Sequence, residues 1–138
     1  MTGVQTCALP ICQVEKYYGG IWANEFGHLD MQWTARASYC LAMAFGAEVG
    51  AAFGVINAGP TPIGAILADT AVKAANVDIV GYTSCTSGSG FSYANEFTMT
   101  VKGDSGAVRQ AVKATIEPGR KILSGFGGEA ECMAVPYY

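Results

Sequence analysis

Charge is scarce in this sequence: Asp, Glu, Lys and Arg make up 14% of its 138 residues, against a usual fraction of about 25%. The net charge of -3 leaves no basic footprint for nucleic acid or an anionic membrane surface. No apolar run reaches the ~18 residues of a spanning helix, because polar residues interrupt every one. The N-terminal stretch lacks the basic leader and long apolar segment of a secretory signal, so the expectation is a cytosolic protein. There is one histidine, and nothing near it in sequence forms a catalytic motif. The five cysteines, at 7, 12, 40, 85 and 132, are odd in number and widely spaced with no CxxC. Neither a disulfide framework nor a zinc finger is indicated, and buried or inert thiols are the expectation. The glycine stretches SGSG and SGFGG match neither a P-loop nor GxGxxG, so no nucleotide site and no cofactor are expected.

Apolar and small residues are what the chain does have. Hydrophobic residues reach 51%, and there are 18 glycines. A single domain of this length exposes much of its surface, so so little charge points to burial against partners. Residues 1–11, MTGVQTCALPI, resemble the translation of a sequencing-library adapter read from a GTG start, and are excluded from fold reasoning. The expectation is that the natural protein is longer at its N-terminus and that Met1 to Ile11 pack poorly.

Periodicity then divides the rest. In LDMQWTAR (Leu29 to Arg36) Leu29, Met31, Trp33 and Ala35 fall on one face and Asp30, Gln32, Thr34 and Arg36 on the other, a half-buried strand. ASYCLAMAFGA follows as a helix punctuated by Gly46 and Gly50, and AAFGVINAG has the β-branched content of a buried strand. Thr61-Pro62 predicts a helix start, with the Thr61 hydroxyl as cap and proline at the first position, running to about Asn76. VDIVGYTS is a strand, SCTSGSGF a polar loop, and ANEFTMTVKG a strand with Phe97, Met99 and Val101 on one face. Gly103-Asp104-Ser105 supplies a turn and an N-cap for GAVRQAVKATI, which Pro118 should kink or end. The order strand, helix, strand, helix, strand, strand, helix predicts an α+β domain, a mixed or antiparallel sheet with helices on one face. WANEF (Trp22 to Phe26) and YANEF (Tyr93 to Phe97) read as two similar strand starts rather than a repeat.

The segments LADTAVKAANVDIVGY (Leu67 to Tyr82), SGSG (Ser87 to Gly90) and TVKGDSGAVRQAVKA (Thr100 to Ala114) resemble the bacterial microcompartment (BMC) shell domain. WANEFGHLDMQWTARASYCLAMAFGA (Trp22 to Ala47) is similar to the start of the second half of the tandem-domain, trimeric type of propanediol-utilisation shell protein. The resemblance implies a circularly permuted BMC domain over 12–128, the second of a truncated tandem protein, followed by a C-terminal tail at 129–138. It also implies a structural, non-enzymatic role in a cytoplasmic microcompartment shell. Three full-length chains would form a pseudo-hexagonal tile that meets other shell proteins, with pores for a small polyol or similar metabolite. IEPGR (Ile116 to Arg120) departs from the family, which usually continues this helix without proline.

By the same resemblance, Lys73 and Asn76 lie at the tile edge. Thr83, Ser84, Cys85, Thr86, Ser87, Gly88, Ser89 and Gly90 approach the tile axis or line a pore. Hydroxyls and free amides there can replace water around a polyol, although an ordinary hairpin loop suits Ser-Gly-Ser-Gly equally well. A cluster ligated by three copies of Cys85 is disfavoured, because that thiol has no local cysteine partner. His28 reads as structural or surface, and Asp104 as a helix cap. The competing class is a soluble small-molecule-binding or regulatory α+β domain that does not assemble.

Overall fold

The computed structural model describes residues 18–84 and 95–132. The chain runs β1 (Tyr18–Asn24), β2 (Gly27–Thr34), α1 (Tyr39–Phe45), β3 (Phe53–Gly59), α2 (Thr61–Ala74), β4 (Asp78–Ser84), β5 (Phe97–Lys102), α3 (Ser105–Gly125) and β6 (Glu131–Cys132). The strands form one sheet in the order β4-β5-β3-β2-β1-β6, and every neighbouring pair is antiparallel.

Side-chain alternation decides what each face carries. Leu29, Met31, Ile56, Ala58, Met99 and Val101 all point to one face and form the main core. Ile63, Leu67 and Ala71 of α2 and Ala111, Val112 and Leu123 of α3 close over them, the i, i+4, i+8 spacing of a helix stripe. Each large side chain removed from water here contributes about 1.5–3 kcal/mol. The two long helices thus share one face, as expected. Two glycines set how closely they approach. A Cβ at Gly64 would collide with Cβ of Phe97, and one at Gly54 would stand 2.6 Å from Cγ2 of Val112.

The opposite face carries a smaller cluster. Phe53 and Val55 pack there under Ala42 of α1 and beside Ala37. Ser38 caps α1 through its hydroxyl, which accepts from the Leu41 N–H at 3.3 Å. Gly46 closes the helix in the left-handed region at φ 68°, where a Cβ would be strained.

Several expectations change. The strand β1 was not anticipated: its Gly19-Gly20 pair and the register irregularity between Tyr18 and Gly20 erase the alternation that marks a strand. Within the expected tail, Glu131–Cys132 pairs with Trp22 and Ala23 of β1, and Ala130 is buried. The α2 helix begins at Thr61 itself with Pro60 as its N-cap, so Thr61 is not the cap. Asp104 does occupy the N-cap of α3, but its side chain makes no capping hydrogen bond. Pro118 does not end α3, which runs 21 residues through it. Buried Gly119 and Leu123 keep the last turns on Leu29 and Leu67, and that burial offsets the lost N–H. Of the expectation of buried or inert thiols, burial does not hold for Cys40 and Cys132, which are exposed. The expectation for Met1 to Ile11 lies outside the described residues.

Candidate functional site

Strand β4 separates the two sets of residues singled out in the sequence. At its first end, α2 finishes at Ala74 and Asn76 is exposed. Lys73, in the last turn of α2, stands free of the core: its side chain is 73% exposed and its Nζ lies 2.6 Å from Oδ2 of Asp69, one turn earlier. Such an exposed i, i+4 pair adds only a few tenths of a kcal/mol, so the ammonium remains open to a stronger partner. At the other end β4 reaches Thr83, which is exposed, and Ser84, which is half-buried. Seven residues at roughly 3.3 Å each put the two ends about 20 Å apart. Cys85, Thr86, Ser87, Gly88, Ser89 and Gly90 lie outside the described residues.

The register shows what holds the base of that loop. Thr83 pairs with Thr98 and Ser84 with Phe97, so the chain leaves the sheet and returns to it on adjacent strands. On the face away from α2 and α3, Thr98 pairs with Asn57, and Asn57 with Asp30. This row is hydrogen-bonded across strands: Nδ2 of Asn57 donates to Oγ1 of Thr98 at 2.8 Å, and Nε2 of His28 lies 3.1 Å from Oδ1 of Asn57. With the Asn57 amide nitrogen already donating, its oxygen is the acceptor and His28 Nε2 carries the proton. The same nitrogen lies 3.4 Å from Oε1 of Glu96. His28 thus links β2 to β3 and to Glu96, just before β5.

Asn95 fastens the same corner from the other side. Its Oδ1 accepts from the Thr61 backbone N–H at 3.2 Å and from the Thr61 hydroxyl at 2.8 Å, taking up an orphan donor at the start of α2. The matching asparagine of WANEF plays a comparable part. Oδ1 of Asn24 accepts from the N–H groups of Phe26 and Gly27, and its Nδ2 donates to the carbonyls of Leu123 and Gly128. The two ANEF segments are thus both strand-end fasteners. The pair is visible in the sequence, but the partners lie 34 and 99 residues away and leave no local trace.

The described residues of this arrangement offer hydroxyls, amides and one imidazole for hydrogen bonding, and none of them is a nucleophile held against a base. Among the described residues no group of three or more His, Cys, Asp or Glu side chains is placed to hold a metal. No helix among them is long and apolar enough to cross a membrane.

Residues 52–127 match the model of the BMC domain family. The bacterial microcompartment shell protein PduB of Citrobacter freundii is 49% identical over 117 residues, 85% of this chain and 43% of that protein. The crystal structure of a trimeric bacterial microcompartment shell protein PduB superposes with a TM-score of 0.77 at 42% identity, covering 87% of this chain and 52% of that one. EtuB from Clostridium kluyveri superposes at 0.78 with 43% identity, covering 92% and 55%. The chain spans about half the length of these relatives.

Proposed function

This chain belongs to the bacterial microcompartment domain family, and on that premise we propose that it is a structural subunit of a microcompartment shell. The likeness to PduB and EtuB extends over nearly the whole described chain at above 40% identity, and that is the observation which carries the reading. In it, residues 12–128 are the second, permuted domain of a tandem protein. Three such proteins form a pseudo-hexagonal tile within a cytoplasmic shell, and the tile performs no chemistry of its own.

Two parts of the surface serve this role. Lys73 and Asn76 meet the neighbouring tile, with Asp69 holding the ammonium until a partner backbone carbonyl or carboxylate replaces it. Thr83, Ser84, Cys85, Thr86, Ser87, Gly88, Ser89 and Gly90 approach the tile axis and contact a small polar metabolite such as a polyol. The rigid row His28–Asn57–Thr98 and the Asn95–Thr61 fastener set where that loop leaves and rejoins the sheet, and passage depends on loop position. Co-expression of the full-length protein with other shell proteins, followed by electron microscopy and affinity capture, tests the role. Co-purification with closed shells or flat hexagonal sheets is expected. A protein that stays soluble and apart from every shell preparation would favour a ligand-binding domain instead.

A further inference from the structure

The face of the sheet turned away from α2 and α3 changes character along β3. At its Phe53 end it is apolar, with Phe53 and Val55 packed against Ala42 of α1. At its Gly59 end, which pairs with His28, it is polar. Alternation on β2 sets His28, Asp30 and Gln32 on this face, and Asn57 of β3 and Thr98 of β5 continue the Asp30 row across the sheet. Three donor atoms of different chemistry meet there. Nε2 of His28 lies 3.1 Å from Oδ1 of Asn57 and 3.4 Å from Oε1 of Glu96. They come from β2, β3 and the residue just before β5, so the ladder register positions them.

The surroundings orient these atoms and leave their charge unbalanced. Nδ2 of Asn57 donates to Oγ1 of Thr98, which turns the amide oxygen towards the imidazole. Asp30 stands directly opposite Asn57 in the ladder, where Cβ atoms are about 5 Å apart. Its Oδ1 accepts only from the neutral amide of Gln32. Among the described residues no lysine or arginine pairs with Asp30 or Glu96. Two carboxylates thus share this corner with a single imidazole and no permanent cation.

We propose that His28 Nε2, Glu96 Oε1 and Asn57 Oδ1 form a weak site for a divalent transition-metal ion of the zinc class. Such an ion binds imidazole nitrogen and oxygen donors at about 2.0–2.2 Å. Two donors at tetrahedral or octahedral angles around it therefore stand about 2.8–3.6 Å apart, a range that contains both observed separations. The imidazole selects this class of ion over magnesium and calcium, which take all-oxygen shells. On binding, the Nε2 proton passes to Nδ1 and the Nε2 lone pair turns to the ion, while Asn57 Oδ1 exchanges a proton contact for a metal contact. Water completes the shell, and Asp30 adds negative charge from the next position in the row. Only one donor is a carboxylate, which keeps the affinity low. The site rests on this geometry and not on the shell reading.

His28 is the only histidine in the chain, so its reaction with diethylpyrocarbonate, read by peptide mass spectrometry, reports on this site alone. Thiols that take up zinc elsewhere do not enter the readout. Zinc ion is expected to slow the modification of His28, and magnesium ion to leave it unchanged. Glu96→Gln should raise the zinc concentration needed for protection by at least about tenfold. Asn57→Asp replaces an amide oxygen by a carboxylate and should lower it by about tenfold, since ligand charge sets affinity. Each variant is compared with its own metal-free rate, so a loosened row does not imitate a lost ligand. Glu96 is half-exposed, and Glu96→Gln keeps the test valid if Asn57→Asp disturbs the sheet. A hydrogen-bonded row that holds no ion would react at the same rate with millimolar zinc as without it, and that result overturns the site. Equal protection in the unsubstituted chain and both variants would place the zinc elsewhere and overturn it too.

Discussion

Asn95 caps a helix that begins 34 residues before it: its Oδ1 accepts both the backbone N–H and the hydroxyl of Thr61. The α2 helix has no cap of its own, since Pro60 at its N-cap carries no side-chain acceptor. Asn95→Ala is therefore expected to cost about 1 kcal/mol, the usual value of a lost cap, in urea denaturation. Asn95→Asp keeps the oxygen and should cost much less. If both variants lost the same amount, the cap would not be the cause.

Gly64→Ala sets two effects against each other. Alanine is favoured over glycine within a helix by about 1 kcal/mol, yet a Cβ at Gly64 would run into Cβ of Phe97, an atom tied to the backbone of β5. Overpacking costs typically 1–3 kcal/mol, so the steric term wins and thermal unfolding should show a lower melting temperature. At Gly106, where nothing lies within 4 Å, the same substitution should be neutral or stabilising.

Pro118 lies inside α3 and removes the donor that would reach the carbonyl of Ala114. Pro118→Ala is expected to raise stability by roughly 1–3 kcal/mol, part of the helix-interior cost of proline, offset by the freer unfolded chain. Chemical denaturation reads this directly, and a destabilised variant would mean that the ring itself is needed for packing.

Lys73→Ala separates assembly from folding. The Lys73–Asp69 pair is exposed on both sides, so its loss should change stability by less than about 0.5 kcal/mol. In the full-length protein the same change should reduce sheet formation seen by electron microscopy while trimers persist in sedimentation. Sheets that form as before would refute the edge role of Lys73.

How much of this was legible in the sequence depends on how locally each feature is encoded. Strands β2, β3 and β5 and helices α1 and α2 follow from alternation, helical spacing and the Thr61-Pro62 and Gly46 punctuation, all within a few residues. Strand β1 was missed because Gly19-Gly20 and the irregular register break its period. The length of α3 was missed because Gly119 and Leu123 find their partners on β2 and α2, where no local rule can see them. The exposure of Lys73 followed from its motif. The His28–Asn57–Thr98 row joins three strands, with separations of 29 and 41 residues, and depends wholly on register.

The pairing of β1 with β6 joins segments from the two ends of the described chain, and beside it Asn24 bridges to the carbonyl of Gly128, 104 residues on. Such a closure has a large entropic cost and only two residue pairs to offset it. It is the natural last step of folding and the first to open, whereas β3 has a strand on either side and core on both faces. Amide hydrogens of Glu131 and Cys132 should accordingly exchange orders of magnitude faster than those of Val55 and Ile56. The domain would then breathe from its acidic edge while its centre stays closed.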